Sequence, residues 1–200
     1  HHKKSLSGKN IVISASGNLE YKPFFDNVAD SFSWVKNGQL SEFQYAPIVK
    51  NGPKMSVVCH NSSKVDVFLS FCAFKETDPR FYTLIMLKRI LDYGMNSRLY
   101  SKICSNLALA YDIEVRVESY IDNGVLDIIA SASPSKIERL INEIQKEIIQ
   151  LCNDGIEDEE FIFAKKRNLY DIEFSKDNLG FLTYWYGCNS LYYTPCDIDE

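Results

Sequence analysis

Residues 111–132 read YDIEVRVESYIDNGVLDIIASA, and this stretch decides the fold. From Tyr111 to Tyr120 the apolar residues Ile113, Val115 and Val117 alternate with Glu114, Arg116 and Glu118. Successive side chains on a strand point to opposite faces, so the pattern buries one face and leaves the other wet. Asp122-Asn123-Gly124 is turn chemistry that returns the chain as a second strand, Val125–Ala132. The residues alone specify an antiparallel hairpin.

Helical periodicity flanks this hairpin on both sides. Upstream, Phe81, Leu84, Ile85, Leu87, Ile90 and Leu91 face one way, with Asp78 as cap and Pro79 as the first helical residue. Asn96 or Ser97 caps a second helix over 98–107. Downstream, Ser133-Pro134 opens a helix whose stripe is Ile137, Leu140, Ile141, Ile144, Ile148 and Leu151, stopped at Asn153-Asp154-Gly155. The acidic run Glu157–Glu160 begins another helix, and an aromatic helix follows over about 178–192. Further upstream, apolar runs at 10–16, 55–60 and 65–74 read as strands. Between the first two, 21–32 reads as an amphipathic helix and 36–53 as a surface connection. The fold class expected is α+β: a two-layer sandwich, with a mixed, mostly antiparallel sheet and helices on one face.

Composition excludes several functions. The 200 residues carry 22 Lys and Arg against 27 Asp and Glu, a net charge of −5. That is the wrong sign for gripping nucleic acid through its phosphates. No apolar run reaches the roughly 18 residues of a membrane span. Of the three histidines, His1 and His2 read as a purification-tag remnant within a leader over 1–9, leaving His60 as an ordinary loop or strand-end histidine. Six cysteines, at 59, 72, 104, 152, 188 and 196, match no zinc or redox spacing and read as scattered buried thiols. Cys59 and His60 are sequence neighbours on a strand, and such neighbours face opposite ways. Nucleotide-binding glycine patterns, the serine elbow and both zinc-peptidase histidine motifs are absent. No metal site and no self-contained catalytic site emerges from the residues.

Residues 94–111, GMNSRLYSKICSNLALAY, strongly resemble the G-M-S-S-R-L-F-x-x-[IL]-R-x-x-x-G-L-A-Y segment of the pitrilysin/insulinase family of zinc peptidases. The stretch 120–144, YIDNGVLDIIASASPSKIERLINEI, is similar to that family's hairpin and following helix. The stretch 155–178, GIEDEEFIFAKKRNLYDIEFSKDN, resembles its G-[IV]-[TS]-x-E-E-[LF]-x-x-A-K-x-x segment. The likeness runs in order over about 10–200, and it is to the second domain of such peptidases, the one without metal.

The resemblance implies a single insulinase-type domain over 10–200, ending before that domain's final elements. It implies a zinc-carrying homologous domain or subunit as partner, zinc held there and not in this chain, and a peptide or unfolded protein as substrate. This chain alone would then be inactive, shaping a peptide chamber opposite the zinc. The alternative from another class is a structural or assembly subunit with the same fold. By position, Tyr111 stands where the family's substrate-facing tyrosine does. Seven residues before it, Cys104 replaces the family's arginine, and Ala108 replaces its glycine. Arg98, from the S-R-L motif, is expected to tie elements together. Arg116, on the wet face of the strand, is a possible replacement cation.

Overall fold

A computed structural model describes residues 6–39, 44–46 and 53–192. His1, His2, Cys196, the Asp197–Glu200 end and most of the 36–53 connection lie outside the described residues. The chain forms two compact units, one of residues 45–168 and one of residues 1–44 with 169–200.

In the first of these, three strands pair in the order β1-β3-β2, where β1 is Val65–Ala73, β2 Asp112–Ser119 and β3 Gly124–Ala132. Both ladders are antiparallel, with Ile128 of β3 opposite Leu69 on one side and Val115 on the other. The alternation is realised as a two-faced sheet. Ile113, Val115, Leu126, Ile128 and Ala130 are buried. Glu114, Arg116 and Glu118 stand opposite Ile129, Asp127 and Val125 on the other face. The hairpin closes where Tyr120 N–H donates to the Asn123 carbonyl at 2.7 Å. Gly124 then begins β3, and a Cβ there would fall on the Phe74 carbonyl, so the close approach of β1 requires glycine.

Two helices cover the inner face. We label α1 Tyr21–Ser31, α2 Phe81–Leu91 and α3 Ile137–Asp154. Leu84 and Leu91 of α2 and Leu140 and Ile144 of α3 join the strand residues in one core, with Leu99 and Ile103 fully buried between them. Burying each such leucine or isoleucine contributes about 1.5–3 kcal/mol. The helix α3 ends at Gly155, whose φ of 79° suits glycine and whose N–H returns to the Leu151 carbonyl at 3.0 Å.

Some elements differ from the sequence reading. Two runs expected as strands, 10–16 and 55–60, enter no ladder among the described residues. Met55 is 90% exposed and Val58 75%; a short apolar run marks extended chain, but a strand also needs a neighbour with free backbone groups. The sheet's ladders are accordingly all antiparallel. The 98–107 helix forms, but its core, Tyr100–Asn106, is wound wide, with Leu107 N–H bonding the Lys102 carbonyl five residues back. Ser97 does not cap it with its side chain, because the hydroxyl turns back to the Gly94 carbonyl. The helix α2 starts two residues after Pro79, and Asp78 binds the Arg80 N–H ahead of it.

The helix α4, Asp158–Lys176, belongs partly to each unit. In the other unit, α5, Leu179–Tyr192, holds the 11–16 segment through Ser16, whose hydroxyl lies 2.6 Å from both the Leu179 carbonyl and Thr183 Oγ1. Phe24 and Val28 of α1 turn toward Ile11, Ile13 and Leu19.

Candidate functional site

Strand β2 carries the exposed residues singled out above. Tyr111 stands at its entry, fixed by its own N–H to the Ser131 carbonyl at 2.8 Å. Its ring is 72% exposed, and its phenol makes no hydrogen bond among the described residues. The result is a donor held in place at the backbone and free at the tip. Just before it, Ala108 takes a φ of 47°, the left-handed conformation, and its carbonyl accepts from Lys136 Nζ at 2.7 Å.

The cysteines are not the buried thiols expected: Cys59, Cys72 and Cys152 are exposed, and Cys104 is half-buried on the wide-wound segment. Burial, and secondarily the nearby Asp112 and Asp92 carboxylates, push its thiol above the ordinary range. A thiol kept protonated is a poor nucleophile and a poor metal ligand. Asp92, after α2, is itself raised by burial, and its Oδ2 accepts the Val115 N–H at 2.7 Å. That bond caps an outward donor on the β2 edge, where another strand would otherwise pair.

Arg116 is not aimed at Tyr111. Its Nε and Nη2 bind the two Glu114 oxygens at 2.8 and 2.7 Å, an exposed pair along the same strand face. Arg98 lies deeper. It binds Glu160 of α4 through Nε at 2.6 Å and Nη2 at 2.7 Å and approaches Glu147 of α3 at 3.6 Å. Lys102 holds the other Glu147 oxygen at 2.6 Å. The hydrogen bonds to Glu160 chiefly raise the Arg98 guanidinium's affinity for its proton. One arginine therefore joins the start of the wide-wound helix to α3 and α4.

The structure thus places Tyr111 at the solvent face and Arg98 in an internal ion network, with Arg116 self-contained on its strand. Glu147 and Glu160 were not among the expected residues. Glu147 falls seven residues after Leu140, in the apolar stripe of α3, and a charge in that stripe is the signal that could have found it. Glu160 sits in an acidic run that reads equally well as an N-terminal dipole partner.

The described residues offer zinc no site. His60 lies exposed in a loop, and among the described residues no three His, Cys, Asp or Glu side chains gather as a metal would require. No helix among the described residues is long and apolar enough to cross a membrane.

Comparison with known proteins places these features in a family context. The sequence profile described as the peptidase M16 inactive domain matches residues 1–168. An uncharacterised zinc protease of Rickettsia felis is 29% identical over 167 residues, which is 81% of this chain and 39% of the relative. The chain spans less than half the length of the curated relatives it matches. Among solved structures, a peptidase M16 inactive domain from Pseudomonas fluorescens aligns with a TM-score of 0.73 at 17% identity, covering 88% of this chain and 42% of that one. A chain of complex III2 from Candida albicans aligns with a TM-score of 0.72 at 16% identity, over 92% of this chain and 46% of that one. At such identities the structural likenesses speak for the fold.

Proposed function

The chain belongs to the family of peptidase M16 inactive domains, and from that premise we propose that it forms one wall of a peptide-binding chamber, facing a zinc-carrying homologous domain or subunit. The observation that carries this reading is Tyr111, with its backbone pinned to β3 and its phenol exposed and unbonded among the described residues. An extended peptide presents carbonyl oxygens, and a phenol held at this position donates to one of them. If that carbonyl is the one attacked, the same donor meets the growing negative charge on its oxygen. Zinc, held by the partner, would supply the activated water.

The arginine that usually accompanies such a tyrosine is Cys104 here, and a protonated, half-buried thiol offers no charge to an oxyanion. Tyr111 therefore carries more of the task. In the full-length protein, Tyr111→Phe should lower peptide turnover by about ten- to a thousandfold, the usual range for removing one oxyanion donor. The thermal midpoint should hardly move, because the ring is exposed. Unchanged turnover, or a loss of stability, would make Tyr111 a packing residue.

The likeness to a complex III2 chain supports a second reading, in which the domain is a structural or assembly subunit. The two part at one cheap observation. A full-length sequence carrying H-x-x-E-H with a later Glu, or a neighbouring gene that carries it, favours the peptidase. A degenerate motif without such a gene favours the scaffold.

A further inference from the structure

Between β1, α2 and α3, the unit of residues 45–168 holds a recess of about 220 Å³. Its innermost lining is Leu84, Leu91 and Leu126, all buried in the core. Leu87 and Ile148 form walls packed against that core. The Phe74 ring is a further wall, with the Arg80 guanidinium 4.0 Å from its centroid. Arg80 is fixed in turn, since its Nε and Nη2 bind the two Asp78 oxygens. Among the described residues the lining holds no charged side chain and no hydroxyl or amide. Its side-chain heteroatoms are the thiols of Cys72 on β1 and Cys152 on α3, both free and exposed at the mouth.

The lining decides what can occupy such a recess. A water needs about two to four polar partners, and thiols are weak ones, so water is held poorly here. A charged ligand would give up its hydration to leucine and phenylalanine with nothing in return. An uncharged apolar group gives up little and gains contact with walls that otherwise face a gap. Size is a second filter. An apolar cavity of about 150 Å³ takes up benzene, so 220 Å³ admits a substituted ring. The thiols are the third filter. They flank the same recess from two different elements, so a guest bearing a soft electrophilic carbon is presented to a sulfur. Holding the two reactants side by side replaces a bimolecular encounter.

We propose that this recess is a binding site for an uncharged aryl-sized apolar group, and that Cys72 or Cys152 captures such a group covalently when it carries an α,β-unsaturated carbonyl. The thiol gives its proton to water, and the thiolate sulfur bonds to the β-carbon. The electron pair of the carbon–carbon double bond moves to the α-carbon, which takes up a proton from water. No group leaves and no oxidant is consumed. The site shares no residue with Tyr111 and does not depend on the peptidase reading.

The test labels the full-length protein with N-benzylmaleimide and, separately, with N-methylmaleimide, which share the electrophilic ring and differ in the aryl group. Peptide mass mapping over time gives the labelling rate at each cysteine. Cys59, exposed and outside the recess lining, supplies the reference ratio of the two rates. We expect the benzyl reagent to be favoured at Cys72 or Cys152 by about tenfold more than at Cys59, the low end of what burying an aromatic ring contributes. Toluene at its aqueous saturation, which occupies the recess without reacting, should abolish that preference and leave Cys59 unchanged. The same ratio at Cys59, Cys72 and Cys152, or a preference that toluene leaves intact, would overturn the proposal. So would protection of Cys72 and Cys152 from both reagents, because the recess would then be filled by the protein itself.

Discussion

At Ala108 the backbone φ of 47° places a side-chain-bearing residue where glycine is at ease. The left-handed conformation costs an L-residue about 1–2 kcal/mol, and glycine's extra unfolded-state entropy takes back part of that. Ala108→Gly should therefore stabilise the protein by about 0.5–1 kcal/mol, raising its melting temperature by about 1–4 °C. A calorimetric scan that shows no rise would mean the turn relaxes around the methyl group. The glycine of the family pattern at this position thus has a physical reason, legible as a motif but not as a strained alanine. Asp78 offers a second residue-scale test. Its bonds to the Arg80 side chain, and then to the Arg80 N–H, lower its carboxyl from 3.8 to about 2. A depressed carboxylate favours the folded state above its unfolded value, so this contribution is whole near neutral pH and fades as pH falls from about 4 through about 2. Carbon-detected titration of the Asp78 carboxyl should give a midpoint near 2, and a midpoint near 3.8 would contradict the pairing.

Among the elements, the hairpin and α3 were fully legible, because period 2 and period 3.6 are each carried by residues on a single buried face. Ile113 and Val115 went in with β2, and Leu140 and Ile144 with α3. What stayed hidden was pairing. Nothing within 55–60 states whether a neighbouring strand exists, and Val57 and Val58 are exposed for want of one. The wide winding of Tyr100–Asn106 was equally silent, since one extra residue per turn leaves the composition unchanged. The ion network that ties this segment to α3 and α4 was half visible: Arg98 through its motif, Glu147 as a charge in the apolar stripe of α3, and Glu160 only through space. Arg98 is largely buried, and removing it leaves Glu160 without the fork that binds both its oxygens and buried Glu147 with Lys102 alone. Arg98→Ala should cost about 2–4 kcal/mol. Arg98→Lys should recover only part of that, because an ammonium cannot span both Glu160 oxygens as the fork does. Chemical denaturation of both variants checks the order.

For the whole molecule, the balance of core and surface explains why function was legible only by resemblance. A net charge of −5 is the wrong sign for gripping phosphates, and His60 is the one histidine beyond the terminal pair, yet no spacing in the chain marks Tyr111 apart from its place in a motif. Its exposure and its pinned backbone are properties of the folded strand. The chain by itself should retain no stoichiometric zinc once the terminal histidines are removed, and elemental analysis of the purified protein checks this. The central claim is that the face bearing Tyr111 meets a peptide. The most direct measurement replaces Tyr111 with the photoreactive p-benzoylphenylalanine in the full-length protein, strips the metal with chelator to prevent cleavage, and irradiates in the presence of an extended peptide. A peptide crosslinked at position 111, and not from the same residue placed at Lys146, is the predicted result. Irradiation that labels the peptide equally from both positions, or from neither, would contradict it.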